Sequence, residues 1–362
     1  MQICEVVVLD NGSGSIKSGM GGDDKPQSIF PTMVGDAKEG KERYIGNEAK
    51  EKRDLLTLKY PIKQGIIKDW EEMEKIWNHT FFQELKISPN EVLVLLTEIA
   101  TNLKANREKM TQIMIETFDV VGLYIAVQSV LSLYETGRTT GTVLDSGEGI
   151  SHVVPIYEGY FFPHATSQLE IAGTELTEYL MKMYSERGFT KIFPDRFTMM
   201  NMKEKLCFVS LEFEKDMERC ESFEEKYELP DGNVIVLGSE RFRCAEALFQ
   251  PNFLGIESEG IHEIAFNSIN KCDFEIRKDL YLNFILSGGN TLFPGFEDRI
   301  YNELTCLAPE NMKVKVIAPK NRINSSWLGG SILSSLNDFQ KKWVTKQDYD
   351  ETGPTIIHRK CF

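Results

Sequence analysis

Two short stretches of this 362-residue chain set an aspartate at the end of an apolar run and glycines at alternate positions after it: Val6 to Ser15, VVVLDNGSGS, and Thr142 to Ser151, TVLDSGEGIS. A strand that ends in Asp and continues Gly-x-Gly turns tightly into a second strand, with consecutive backbone N–H groups on the inside of the turn, and such concavities bind phosphate oxygens. The carboxylates of Asp10 and Asp145 are also what a hard Mg²⁺ or Ca²⁺ ion takes, held through its waters while phosphates fill the remaining positions. One Gly-rich hairpin alone is better explained by an ordinary turn. Two, each headed by Asp, predict a duplicated fold that clamps a metal nucleotide between its halves.

The elements that must position these hairpins read as mixed α/β. Val6–Leu9, Val92–Leu96, Thr142–Leu144 and Phe284–Leu286 have strand character, and they alternate with helical stretches at Asn106–Thr117 and Ile261–Asn270. The chain is too long for one ordinary core, and no low-complexity linker divides it, so two domains packed around a shared cleft are expected. Gly35–Arg43 and Glu212–Glu225 lack apolar periodicity; the first reads as a loop, the second as a solvated helix face or loop.

Charge and cysteine usage exclude other classes. With 41 Lys and Arg against 55 Asp and Glu, the net charge of -14 disfavours a nucleic-acid or anionic-membrane surface. The 7 cysteines are scattered, odd in number and never in a C-x-x-C pair, which argues against a disulfide framework and a zinc site. No apolar run reaches the ~20 residues of a membrane helix, and no basic segment precedes the first apolar stretch. A soluble intracellular protein is expected, with no membrane insertion.

Longer blocks carry a resemblance. DNGSG at 10–14, LTLKYPI at 56–62, MEKIWNHTF at 73–81, KANREKMTQIM at 104–114, VLSLYETGRTTG at 130–141, VPIYEGY at 154–160, KEKLC at 203–207, RFRCAEALFQPNFLG at 241–255, LSGGNTLFPG at 286–295, WLGGSIL at 327–333 and GPTIIHRKCF at 353–362 follow one another as in the actins. The chain resembles a divergent actin nearly end to end. The wider superfamily, with Hsp70-type ATPase domains and sugar kinases, shares only the two hairpins and an adenosine loop. The resemblance implies an α/β actin-like ATPase fold of two lobes built from duplicated sheet and helix domains around a nucleotide cleft. It divides into four subdomains: residues 1–31, 61–135 and 325–362; 32–60; 136–171 and 258–324; and 172–257. It further implies ATP or ADP with Mg²⁺ or Ca²⁺, self-association into filaments, actin-binding regulatory proteins as partners, and a cytoplasmic, cytoskeletal location with the nucleus also open.

Residue by residue, the resemblance implies the following site. Asp10, Gly12, Ser13, Gly14, Ile16 and Lys17 match the first phosphate hairpin, and Asp145, Gly147, Glu148, Gly149 and Ile150 the second, with Asp10 and Asp145 on the metal through waters. Gln128 and His152 match the pair beside the attacking water, where a Gln that orients water and a His that relays its proton suit phosphoanhydride hydrolysis. Gly173, Lys203, Glu204, Gly288, Gly289, Asn290, Leu292 and Phe293 match the adenosine pocket, although Leu292 and Phe293 are equally compatible with core.

The departures set further expectations. Glu148 stands where actins usually have Asp, one methylene longer, and bears on the hydrolysis rate. Met200 and Ile323 replace basic residues on the adenine side, Asn324 replaces an aromatic, and Gln64 replaces an often-methylated His. Gly35–Tyr44 is shorter than the loop that plugs into the next filament subunit and has exchanged an apolar tip for charges. The acidic tail is reduced to MQICE. Phe253, Leu254 and Ile256 keep the apolar loop that actins use across the filament, either exposed for a partner or folded back on the body. Three readings follow: a filament-forming, slowly ATP-hydrolysing subunit; a scaffold that keeps ATP as a structural clamp; and a sugar-kinase-type phosphotransferase, which nothing beyond the shared hairpins supports.

Overall fold

The strand order repeats as the sequence does. In one six-stranded sheet the order is Val344–Thr345, Gly122–Val127, Leu93–Glu98, Val6–Asn11, Ser15–Met20, Ser28–Pro31. Val6–Asn11 pairs antiparallel with its hairpin partner Ser15–Met20 and parallel with Leu93–Glu98, which in turn pairs parallel with Gly122–Val127. The second sheet follows the same plan: Gly141–Ser146 pairs antiparallel with Ser151–Tyr157 and parallel with Phe284–Ser287, which pairs parallel with Val316–Ile317. The computed structural model describes residues 4–188, 194–229 and 231–361. The first three residues of MQICE and the terminal Phe362 lie outside the described residues.

Each lead strand is apolar on both faces because both faces are covered. Side chains alternate across a strand, so Val7 and Leu9 join a cluster with Trp77 and Met114 while Val8 packs opposite with Leu95, Leu131 and Trp327. In the second sheet Leu144 packs with Phe284, Leu286 and Phe296, and Val143 on the other face with Leu133, Val154 and Ile285.

A helix follows the last parallel strand of each sheet, Gln128–Glu135 in one and Ser325–Ser335 in the other. The two cross at Gly329, where a Cβ would lie 1.8 Å from the Leu131 carbonyl oxygen. Only glycine allows that approach. Ser132 Oγ lies 3.1 Å from both Ser287 Oγ and Ser326 Oγ, which ties the crossing to the second sheet.

The helix expected at Asn106–Thr117 runs Lys104–Gln112 and continues to Thr117 in a wider turn, and the one at Ile261–Asn270 lies as read. Gly35–Arg43 differs from the expected loop. Val34–Ala37 and Arg43–Ile45 form a hairpin within a three-stranded sheet completed by Leu56–Lys59. Its charges are paired along the strands, Arg43 to Asp36 at 2.7 Å and Lys59 to Asp36 at 2.8 Å, a cross-strand pattern that apolar periodicity cannot report.

Candidate functional site

The two Asp-headed hairpins have one geometry. Gly12 N–H donates to the Ser15 carbonyl at 3.2 Å and Gly147 N–H to the Ile150 carbonyl at 3.3 Å, and the residue directly opposite the aspartate is Lys17 in the first copy and His152 in the second. Their tips interlock. A Cβ on Gly14 would lie 2.8 Å from Glu148 Cβ, and one on Gly149 2.5 Å from Ser13 Oγ. These glycines therefore permit contact between the hairpins as well as the turns themselves.

Asp10 is buried and fully engaged. Its Oδ1 accepts from Thr97 Oγ1 at 2.7 Å and from Gln128 Nε2 at 2.9 Å, and its Oδ2 accepts from Lys17 Nζ at 3.0 Å. Gln128 Nε2 also reaches Thr97 Oγ1 and the Asn11 carbonyl, which fixes the orientation of its amide. Asn11 in turn accepts from Trp77 Nε1 at 3.1 Å, so the hairpin is anchored to the core.

Asp145 is partly buried. Burial first, and the charge of Asp10 second, push its carboxyl up to about 6, against the opposing pull of Lys17 and a hydrogen bond from Ser287. Two carboxylates that face one another at low polarity resist joint ionisation, and a cation between them removes that resistance. Beside them His152 is buried, its Nε2 has no hydrogen-bond partner, and burial drives its ring down to about 4. It is neutral at neutral pH.

The third loop closes against the second hairpin. Gly288 has φ of 86°, and a Cβ there would lie 2.3 Å from the Ser146 carbonyl oxygen and 2.5 Å from Asp145 Oδ1. Asn290 Nδ2 donates to Ser146 Oγ at 3.0 Å and to the Gly147 carbonyl at 2.6 Å. The start of the Gly173–Glu186 helix sits on the same hairpin, with Gly173 N–H donating to the Gly147 carbonyl at 3.0 Å and Thr174 N–H to the Glu148 carbonyl at 2.9 Å, and buried Lys203 donates to the Gly173 carbonyl at 2.7 Å. Glu204, Leu292 and Ile323 are exposed, while Gly289 sits in the loop between Gly288 and Asn290.

Some expected residues have other duties. Phe293 is buried in the core cluster with Phe296 and Leu286, so of the pair left open in the sequence only Leu292 faces outward. Ile16 is core, packed with Leu9 and Phe30, and only its backbone can serve a ligand. Ile150 is buried at the hairpin base. The Glu148 carboxylate accepts from Thr174 Oγ1 at 3.3 Å and pairs with Arg196 at 3.5 Å.

Sequence reasoning missed Thr97, Thr174, Arg196, Ser287 and Gly65. Thr97 had a signal, since the strand Leu93–Glu98 is parallel to the Asp10 strand and turns polar at the same end. Gly65 had none: its N–H donates to Ser13 Oγ at 2.9 Å, and Gln64 beside it, at φ of 49°, sits close to Gly149.

A family model for actin matches residues 1–362, the whole chain. The chain belongs to the actin family. Membership makes this an actin-like, nucleotide-binding protein of cytoskeletal type, built on the two-lobe fold. Actin-family proteins generally bind ATP or ADP with a divalent cation. The residues of this actin-family chain fit such a group: Asp10 and Asp145 head the two hairpins, the charge of Asp10 helping to raise the Asp145 carboxyl, and beside them lies a buried imidazole nitrogen without a partner. Among the described residues no three His, Cys, Asp or Glu side chains gather into a cage, and no helix is long and apolar enough to cross a membrane.

Proposed function

We propose that the protein is an ATP-binding, slowly ATP-hydrolysing cytoskeletal subunit that polymerises into actin-type filaments. The observation that carries this reading is the convergence of Asp10, Asp145, Gln128 and His152 on one cleft between interlocked Gly-rich hairpins. The backbone N–H groups of Gly12 to Gly14 and Gly147 to Gly149 would hold the phosphates, with Lys17 adding a point charge. Asp10 and Asp145 would hold Mg²⁺ or Ca²⁺ through waters, and that ion when bound neutralises developing phosphate charge. Gln128, its amide nitrogen fixed on Asp10, would present its carbonyl oxygen to a water. His152, neutral, would accept a proton from that water at Nε2. Gly173, Lys203, Glu204, Gly288, Leu292 and Ile323 would border the nucleoside.

Regulatory proteins of the family would bind the groove between the lobes. Exposed Ile332 on the crossing helix and Leu336 just past its end, with exposed Tyr160, would supply its apolar surface.

Two observations favour the scaffold reading as the alternative. The Val34–Ile45 hairpin ties up its own charges, with Lys52 also stacked over Tyr44 at 3.7 Å, which leaves little apolar area for a longitudinal contact. The 251–256 loop is folded back: Phe253 lies 5.5 Å from Phe213, and Leu254 and Ile256 rest on the same core. High-speed sedimentation across a concentration series with Mg-ATP, with phosphate release followed in parallel, separates the two. Filaments in the pellet with coupled phosphate release support the first reading; protein that binds ATP and stays in the supernatant moves the assignment to the scaffold.

A further inference from the structure

Leu292 and Ile323 are large apolar side chains left 39% and 50% exposed. They sit on two loops locked together by the residues beside them: Arg322 Nε donates to Thr291 Oγ1 at 2.9 Å and Arg322 Nη2 to the Thr291 carbonyl at 2.8 Å. The loop that carries Leu292 begins at Gly288, against the Asp145 carboxylate. Leu292 follows Gly288 by four residues, which keeps the apolar pair near the second hairpin.

Neither Leu292 nor Ile323 carries a hydrogen-bond donor or acceptor, and Met200, on the face of its helix shared with Glu204, adds none. Walls of this kind hold a purine by its faces and do not read its polar edge. Sites that do read an edge reject the wrong partner by ~10⁴–10⁵, whereas apolar pockets discriminate by only ~10–200. We infer that this cleft is purine-tolerant, taking GTP nearly as well as ATP, with Leu292 and Ile323 as the base platform. The inference rests on the nucleotide reading above and goes past it in naming the specificity. Side-chain acceptors beside the platform are the exposed Glu204 carboxylate and Asn324 Oδ1, which is buried without a partner. Were either to accept from the adenine amino group, selectivity for ATP would be large.

The test is displacement of a ribose-labelled fluorescent ATP, with Mg²⁺, by ATP, GTP and tripolyphosphate, on wild type and Ile323→Asp. The expected result is an ATP-to-GTP affinity ratio below about 10 in wild type. Ile323→Asp should weaken ATP and GTP alike by about tenfold or more, with tripolyphosphate displacement unchanged as the check on folding. A ratio above about 10³, or ATP affinity untouched by Ile323→Asp, overturns the inference while the nucleotide reading stands. Failure of the labelled ATP to bind wild type at all overturns both.

Discussion

Lys17 and His152 occupy the same position in two copies of one hairpin, each directly across the ladder from the aspartate that heads it. The first donates to its own Asp10 at 3.0 Å; the second is buried with Nε2 unpaired. The duplication thus yields a cation in one half and a neutral base in the other. The difference lies in burial and in what each side chain is.

His152 sets one pH dependence. Its folded value near 4 lies below the usual 6.5, so the unfolded chain binds the proton more readily between those values. The stability this group contributes is present above about pH 6.5 and is lost as pH falls toward 4. Urea midpoints for wild type and His152→Gln at pH 7 and pH 5 should show a smaller acid loss in the variant; an equal loss would mean that His152 is not held neutral.

Asp145 works in the opposite sense. Its folded value near 6 lies above the usual 3.8, so the folded ligand-free protein holds the proton more tightly, and stability falls as pH rises from about 4 to 6. Asp145→Asn should therefore be at least as stable as wild type at pH 7 without ligand, yet lose Mg-nucleotide affinity. In wild type that affinity should climb from pH 5 to about 6.5 and then level, with proton release seen as a buffer-dependent heat of binding. A flat profile would contradict the shift.

Gly329 is the tightest point between the crossing helices. Gly329→Ala drives a methyl into the Leu131 carbonyl, and overpacking of this sort costs about 1–3 kcal/mol. Thermal unfolding should drop by several degrees, and Gly137→Ala, with nothing within 4 Å of its added Cβ but at φ of 71°, should cost less.

Residues 33–56 and the Arg196–Leu206 helix are held together by an apolar contact more than by charge. Arg53 pairs with Asp195 at 2.7 Å, but both are partly exposed and such a pair is worth about 0–1 kcal/mol. Phe197, two residues along, packs against Met33, Ala49 and Leu56 with the cations of Lys50 and Arg53 near its ring. Phe197→Ala should speed release of labelled nucleotide roughly fivefold for each 1 kcal/mol of lost contact, and more than Asp195→Ala does. Stopped-flow release rates give the ranking directly.

The duplicated hairpins were legible in the sequence because the lead strands need apolar residues on both faces and the turns need glycine. The strands at Phe284 and Leu93 and the helix at Ile261 were legible for the same reason of pattern. What the sequence could not report were contacts between distant segments: Gly14 against Glu148, Gly65 on Ser13, Arg196 on Glu148. It also could not tell Phe293, which is core, from Leu292, which faces out, since both are apolar neighbours on one loop. The charged hairpin at Val34–Ile45 was read as a loop because its pairing is electrostatic across the strands.

The central claim, that the two hairpins clamp a metal nucleotide, is tested most directly by thermal unfolding of wild type, Asp10→Ala and Asp145→Ala with and without saturating Mg-ATP. Binding at 100 times the dissociation constant stabilises the native state by about 2.7 kcal/mol, so wild type should shift upward by several degrees and each variant by much less. Equal melting temperatures with and without Mg-ATP in wild type and variants alike would contradict the clamp.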